Sequence, residues 1–279
     1  MIRKTIVHVC AYTCQAPLSS MAVLWEAIMD LVGFGLNMVL GLALGTLGGL
    51  FGIGGGLIAI PVLGVLFDLD QQVAQGTALV MVVPNVLLAI WRYHQRNRID
   101  LRHAAALGIA SFCFAIAGAA VAVSLDAGRM RIAFVGFLVA LAIYTLMRVF
   151  FRPHPGGTEL RHPWPWLGVL GAGAGALGGL FGVGGAVLAT PVLTAVFGTS
   201  QVVAQGLSLS LAAPSTAVTL FTYATHGQVD WALGLPLAIG GLLSISLGVR
   251  LAHALPERLL RLLFSGFLLA SAVMLALEV

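Results

Sequence analysis

LGGLFGIGGG, Leu47–Gly56, puts six glycines into ten positions in the middle of an apolar run. It returns as LGGLFGVGGA, Leu177–Ala186, at an offset of 130 residues. Glycine weakens a helix interior by about 1 kcal/mol per position relative to alanine, so each stretch reads as a helix break. Lipid tolerates such a break only where protein or a watery cavity meets the freed backbone groups.

The same offset, without a gap, aligns much more of the chain. PVL at Pro61–Leu63 matches PVL at Pro191–Leu193, and VAQG at Val73–Gly76 matches VAQG at Val203–Gly206. Pro84 pairs with Pro214, Tyr93 with Tyr223, Asp100 with Asp230 and Gly118 with Gly248. Shared apolar composition does not place prolines, glutamines and aspartates in register, so the chain is a duplication. Its organisation reads as an N-terminal tail and lead-in helix (1–33), a first transmembrane repeat (34–150), a linker (151–166) and a second transmembrane repeat (167–279). The first twenty residues lack the long apolar core of a secretory signal and read as a poorly ordered tail.

Composition sets the environment. Hydrophobic residues make up 59% of the 279 and charged residues 9%, against roughly 25% charged in soluble domains. Leu31–Phe67 carries no charge, and Leu167–Val249 carries only Asp230. About 20 apolar residues cross a bilayer as a helix, so the expected fold is an all-α polytopic membrane protein. Each half reads as five apolar pieces, in the first half near Gly35–Phe51, Gly55–Phe67, Gln72–Trp91, Arg102–Ser124 and Met130–Val149. The expectation is therefore a short glycine-broken helix pair plus three spanning helices per half. The second piece is too short to cross alone; half of a re-entrant hairpin and partner of a broken span both fit.

Arg92, Arg96, Arg98 and Arg102 mark the loop after the third piece as cytoplasmic by the positive-inside rule. The matching segment of the second half, TYATHGQVDW, has no Lys or Arg. Arg148 at the end of the first repeat, the linker's Arg152 and Arg161, and Arg250, Arg258 and Arg261 near the end also read as inside, with Arg129 and Arg131 the exceptions. The halves are thus expected to be inverted relative to each other.

Inverted repeats with a broken segment at matching positions point to a transporter's central site. Half-helices starting near Gly54 and Gly184 would turn free N–H groups and positive dipole ends on one ligand, an anion site without a basic side chain. Gly45, Gly48, Gly49, Gly52 and Gly56 also fit small-xxx-small spacing, which serves helix packing alone. Gln75 and Gln205 open the third pieces, either as interfacial starts or as substrate amides. Asn85 beside Pro84 and Ser215 after Pro214 add neutral polar groups; Ser208, Ser210, Thr216 and Thr219 rank lower because hydroxyls often bond their own helix.

With GGLFGIGGG, PVL and VAQG each present twice, the chain resembles the sulfite exporter TauE/SafE family, also described as the 4-toluene sulfonate uptake permease family. The resemblance covers nearly everything beyond about residue 33. It implies a multi-pass bacterial inner-membrane protein that moves small sulfur-containing anions such as sulfite or organosulfonates; a cytoplasmic anion leaves down the membrane potential, so export is the expected direction. It carries onto Gly52, Gly54, Gly55 and Gln75 of the first half and Gly182, Gly184, Gly185 and Gln205 of the second. Ala186 stands where the first half has Gly56, so the two breaks need not be equivalent. With Asn85 and Ser215 these ten are the candidate substrate-binding residues.

Other classes find little support. No nucleophile–base cluster or mid-span acid points to an enzyme, GxGxxG fails at Leu57, and no nucleic-acid partner, cofactor or metal is expected. Cys10, Cys14 and Cys113 form no CxxC pair, and Cys113 reads as a packed thiol. His94, His103, His226 and His253 read as interfacial. An anion channel of the same fold, or a membrane assembly factor, is the alternative, and a homodimer stays open.

Overall fold

The computed structural model describes residues 18–96, 101–151 and 165–276, which are helical apart from short connections. The helices are α1 (Leu18–Phe51), α2 (Gly56–Phe67), α3 (Gln71–Arg96), α4 (Leu101–Ser124) and α5 (Ala127–Phe151), then α6 (Pro165–Phe181), α7 (Ala186–Ala195), α8 (Gln201–Thr225), α9 (Trp231–Ala254) and α10 (Glu257–Ala276). Six are long and apolar enough to cross a membrane: α1 through its Leu31–Phe51 part, α3, α4, α5, α8 and α9. Outward faces carry large apolar side chains such as Ile109, Phe221 and Leu243, a surface suited to lipid. The expected tail, up to residue 17, and most of the linker, 152–164, lie outside the described residues.

The expected short pair holds for α6 and α7, of 17 and 10 residues, but not for α1. That helix runs 34 residues, because nothing between the lead-in and the glycine stretch breaks it. Residue 33 is therefore an interior position of α1. The apolar part of α10, Leu262–Ala276, is shorter than the six spans.

The second piece turns back on the helix before it. Gly55 lies on the backbone of Leu44 and Gly48, while Phe67 shares a cleft with Phe34 and Asn37. The half-helix α2 therefore doubles back along α1. In the second half Gly185 lies on Ala174, Gly178 abuts Gly184 and Gly185, and α7 returns along α6.

The helices do not pack half against half. Gly41, Gly45 and Gly49 of α1 press on Leu237, Gly241 and Ile245 of α9, in the same order along both helices. Gly171, Gly175 and Gly179 of α6 press on Leu107, Ser111 and Ala115 of α4 in the same manner. A Cβ at these positions would run into the neighbouring backbone, so close parallel packing is what selects glycine there. Helix α3 lies along α9, with Val80 at Gly234, Asn85 at Gly241 and the Tyr93 ring 5.1 Å from His253. One bundle thus contains α1, α2, α3 and α9, and the other α6, α7, α8 and α4.

The two bundles meet where α3 lies against α8, and α5 pairs with α10. The equivalent helices α3 and α8 run antiparallel: Tyr93 near the end of α3 meets Gln205 at the start of α8, and Tyr223 near the end of α8 meets Gln75 at the start of α3.

Candidate functional site

Each break is a tight reversal built on three left-handed glycines. Their φ angles are 67°, 71° and 95° at Gly52, Gly54 and Gly55, and 68°, 70° and 73° at Gly182, Gly184 and Gly185. The Ile53 N–H donates to the Gly48 carbonyl at 3.1 Å, while in the second reversal both Val183 N–H, at 3.1 Å, and Gly184 N–H, at 3.4 Å, donate to the Gly178 carbonyl. At Gly54 a side chain fails twice: φ is positive, and a Cβ would overlap the Val86 methyl.

The half-helices start at Gly56 and Ala186, two residues after the expected Gly54 and Gly184, because left-handed residues cannot be part of a right-handed helix. Gly55 and Gly185 are the N-caps, and no side chain caps either one. Both helix starts therefore keep the positive end of the dipole without a carboxylate or hydroxyl upon it.

Ala186 does not make the second reversal different. A Cβ at Gly56 would meet Val82, and the residue matching Val82 in the second half is the smaller Ala212. The two reversals also touch, since a Cβ at Gly56 would sit 3.6 Å from the Gly182 carbonyl. Packing and reversal turn out to be divided among the glycines: Gly45 and Gly49 serve α9, Gly48 admits the returning backbone, and Gly52, Gly54 and Gly55 make the turn.

The amides cross between halves. The stem of Gln205 lies on Gly52, and its Nε2 donates to the carbonyls of Phe51 at 3.0 Å and Leu50 at 3.4 Å. The Tyr93 hydroxyl donates to Gln205 Oε1 at 3.0 Å and reaches the Gly49 carbonyl at 3.3 Å. On the opposite side the stem of Gln75 lies on Gly182, and the Tyr223 hydroxyl donates to Gln75 Oε1 at 2.8 Å and reaches the Leu180 carbonyl at 3.1 Å. The Gln75 Nε2 is buried without a partner.

Neither glutamine lies on the surface of the protein. Each sits in the second turn of its helix rather than opening it, 0% exposed for Gln75 and 1% for Gln205. Asn85 Nδ2 donates to the Gly54 carbonyl at 3.4 Å, and Ser215 Oγ to the Gly184 carbonyl at 2.9 Å, so equivalent residues brace equivalent reversals. All ten candidates thus gather around the α3–α8 contact, and all are buried.

Tyr93 and Tyr223 appear in the sequence only as an aligned pair; a buried phenol needs a hydroxyl partner, and that was the available signal. Thr216, Thr219 and Ser210 bond their own helices, while Ser208 Oγ is buried without a partner. Cys113 is exposed on the outer face of α4 rather than packed. His226 caps α8 at an exposed position and His253 is half-buried on Tyr93, while the side chains of His94 and His103 lie outside the described residues.

No charged side chain is among the ten. Asp68, Asp70, Asp126 and Asp230 gather at one end of the molecule, where Gln72 Nε2 bonds the Leu125 carbonyl and the Asp230 N–H bonds Thr77. Arg92, Arg102 and Arg250 stand at the other. Among the described residues no three His, Cys, Asp or Glu converge as metal ligands. Clefts of about 680 and 370 Å³ open between α1, the end of α2 and the start of α9 and between α6 and α7, and no residue of the reversals or clamps lines either.

Duplicated helices interlocked across the halves, with two buried backbone breaks in mutual contact, define a multi-pass membrane protein of transporter build. The chain belongs to the sulfite exporter TauE/SafE family, whose profile matches residues 37–275. It is 28% identical over 249 residues to a probable membrane transporter protein of Methanocaldococcus jannaschii, covering 84% of this chain and 91% of that one. A probable membrane transporter protein of Xylella fastidiosa is 28% identical over 251 residues (87% and 93% of the two chains), and one of Bacillus subtilis 26% over 239 residues (78% and 88%). No solved structure matches the chain.

Proposed function

We propose that this membrane transporter exports a small sulfur oxyanion, sulfite or an organosulfonate, across the bacterial inner membrane, holding it between the two glycine reversals. The single observation carrying this reading is the meeting of two uncapped half-helix starts, with amides crossing from the opposite half, in a region free of charged side chains. Backbone N–H groups and dipole ends suit an anion that must be released again.

The basic end is the cytoplasmic one by charge bias, and the antiparallel course of α3 and α8 supports halves inverted in the bilayer. The bodies that rock are the two mixed bundles, because α1 is locked to α9 and α6 to α4 by backbone contact. Tyr93–Gln205 and Tyr223–Gln75 lie at opposite ends of the α3–α8 seam, so releasing one opens one face. Such an arrangement is alternating access with the site closed in the present state. With no carboxylate in the site, the membrane potential drives the anion outward, without proton coupling.

Purified protein in liposomes loaded with sulfite tests this. Saturable efflux with no partner present is the expected result. Current linear in voltage would make it a channel, and no flux of any sulfur oxyanion would favour an assembly role.

A further inference from the structure

We infer that Gln75 alone is the side-chain donor to the transported anion, whereas Gln205 is a fixed cap on the end of α1; this rests on the anion site proposed above. Both glutamines stand in identical VAQG segments, and symmetry would have Gln75 Nε2 donate to Leu180 and Phe181 as Gln205 donates to Leu50 and Phe51. The tyrosines break the symmetry. Tyr93 reaches the Gly49 carbonyl, but Tyr223 reaches Leu180, one residue beyond the equivalent Gly179. The Tyr223 hydroxyl, whose single proton goes to Gln75 Oε1 at 2.8 Å, thus stands 3.1 Å from the Leu180 carbonyl, one of the two that Gln75 Nε2 would have used.

The orientation of the Gln75 amide follows from its twin. Two carbonyls fix Gln205 with Nε2 toward the helix end, and its Oε1 faces the tyrosine. Gln75 likewise turns Oε1 to its tyrosine, and its Nε2 is left without an acceptor at zero exposure. An unmet buried donor is costly, and a native structure that keeps one calls for an explanation. The stem that carries this donor lies on Gly182, the first glycine of the second reversal, whose half-helix start is uncapped. An oxyanion supplies the missing acceptor, and a hydrogen bond to a charged partner is the stronger kind. The site is then formed by α3 of one half and the reversal of the other.

Calorimetric binding of sulfite and benzenesulfonate to the purified full chain decides it, with Gln75→Met and Gln205→Met beside wild type and melting temperatures recorded. Gln75→Met should weaken binding by about tenfold or more while melting near wild type, since Tyr223 keeps Leu180. Gln205→Met should bind within about threefold of wild type and melt lower, having uncovered two buried carbonyls. If Gln75→Met does not fold, Gln75→Glu, which keeps the acceptor for Tyr223, carries the same expectation. Equal losses in both variants would overturn the division and leave the shared site standing, as would a loss confined to Gln205→Met. Unchanged affinity in both would remove the amides from the site altogether. A folded wild type that binds neither anion would overturn the anion site and this inference together.

Discussion

Gln205 and Gln75 occupy the same place in identical tetrapeptides, yet every polar atom of one is engaged and the other keeps a donor without an acceptor. The difference does not originate in the glutamines. It accompanies a one-residue change in the carbonyl each tyrosine reaches, Gly49 against Leu180. Duplicated halves start equivalent and diverge by small exchanges, and most of those exchanges compensate. Gly56 faces Val82, and the matching residues are Ala186 and Ala212; Asn85 lies on Gly241, and the matching residues are Ser215 and Ser111. Backbone geometry is conserved through these swaps, while polar satisfaction is not.

The largest expected effect treats the two reversals alike. Gly54→Ala and Gly184→Ala should each cost about 2–4 kcal/mol, from left-handed backbone and from overlap with Val86 or Thr216. Denaturation of the purified variants checks this; a cost at one site only would show that the reversals are not equivalent.

The clamps should separate the halves. Tyr93→Phe leaves Gln205 Oε1 buried and unpaired, for about 1–2 kcal/mol. Tyr223→Phe should cost less, under about 1 kcal/mol, because Gln75 Nε2 can then turn to Leu180. The same variant should bind sulfite more weakly, its donor now occupied, which melting and calorimetry together would read.

A smaller effect tests compensation. Gly241→Ser alone crowds Asn85 and should cost about 1–3 kcal/mol. Adding Asn85→Ser makes room for the new side chain and should recover about 1 kcal/mol, a coupling that a double-mutant cycle measures. Smallest is Ser208→Ala, which deletes a buried hydroxyl without a partner and should be neutral or stabilising by up to about 1 kcal/mol.

Much of this was open to reading in the chain itself. The offset of 130 residues, the charge-free runs and the paired reversals follow from residue order, and the helix bounds fall close to the apolar pieces. The swapped packing was not readable, because a repeat records which residues match and not which half each helix leans on. The tyrosine clamps join residues 112 and 148 positions apart, beyond any local pattern. Identical VAQG segments could not announce that their amides differ. The length of α1 was missed because Glu26 and Asp30 look like the edge of a span, although a helix can continue through them.

The mixed bundles are the account's central claim, and spin-label distances in lipid nanodiscs test it most directly. With Cys10, Cys14 and Cys113 replaced by serine, labels at Val39 and Leu243 report on α1 and α9, in different halves but one bundle. Labels at Val39 and Ile109 report on α1 and α4, in one half but different bundles; all three positions are exposed. Adding sulfite should shift the Val39–Ile109 distance and leave Val39–Leu243 unchanged. A shift in Val39–Leu243 with Val39–Ile109 fixed would mean that the sequence halves, not the bundles, are the moving bodies.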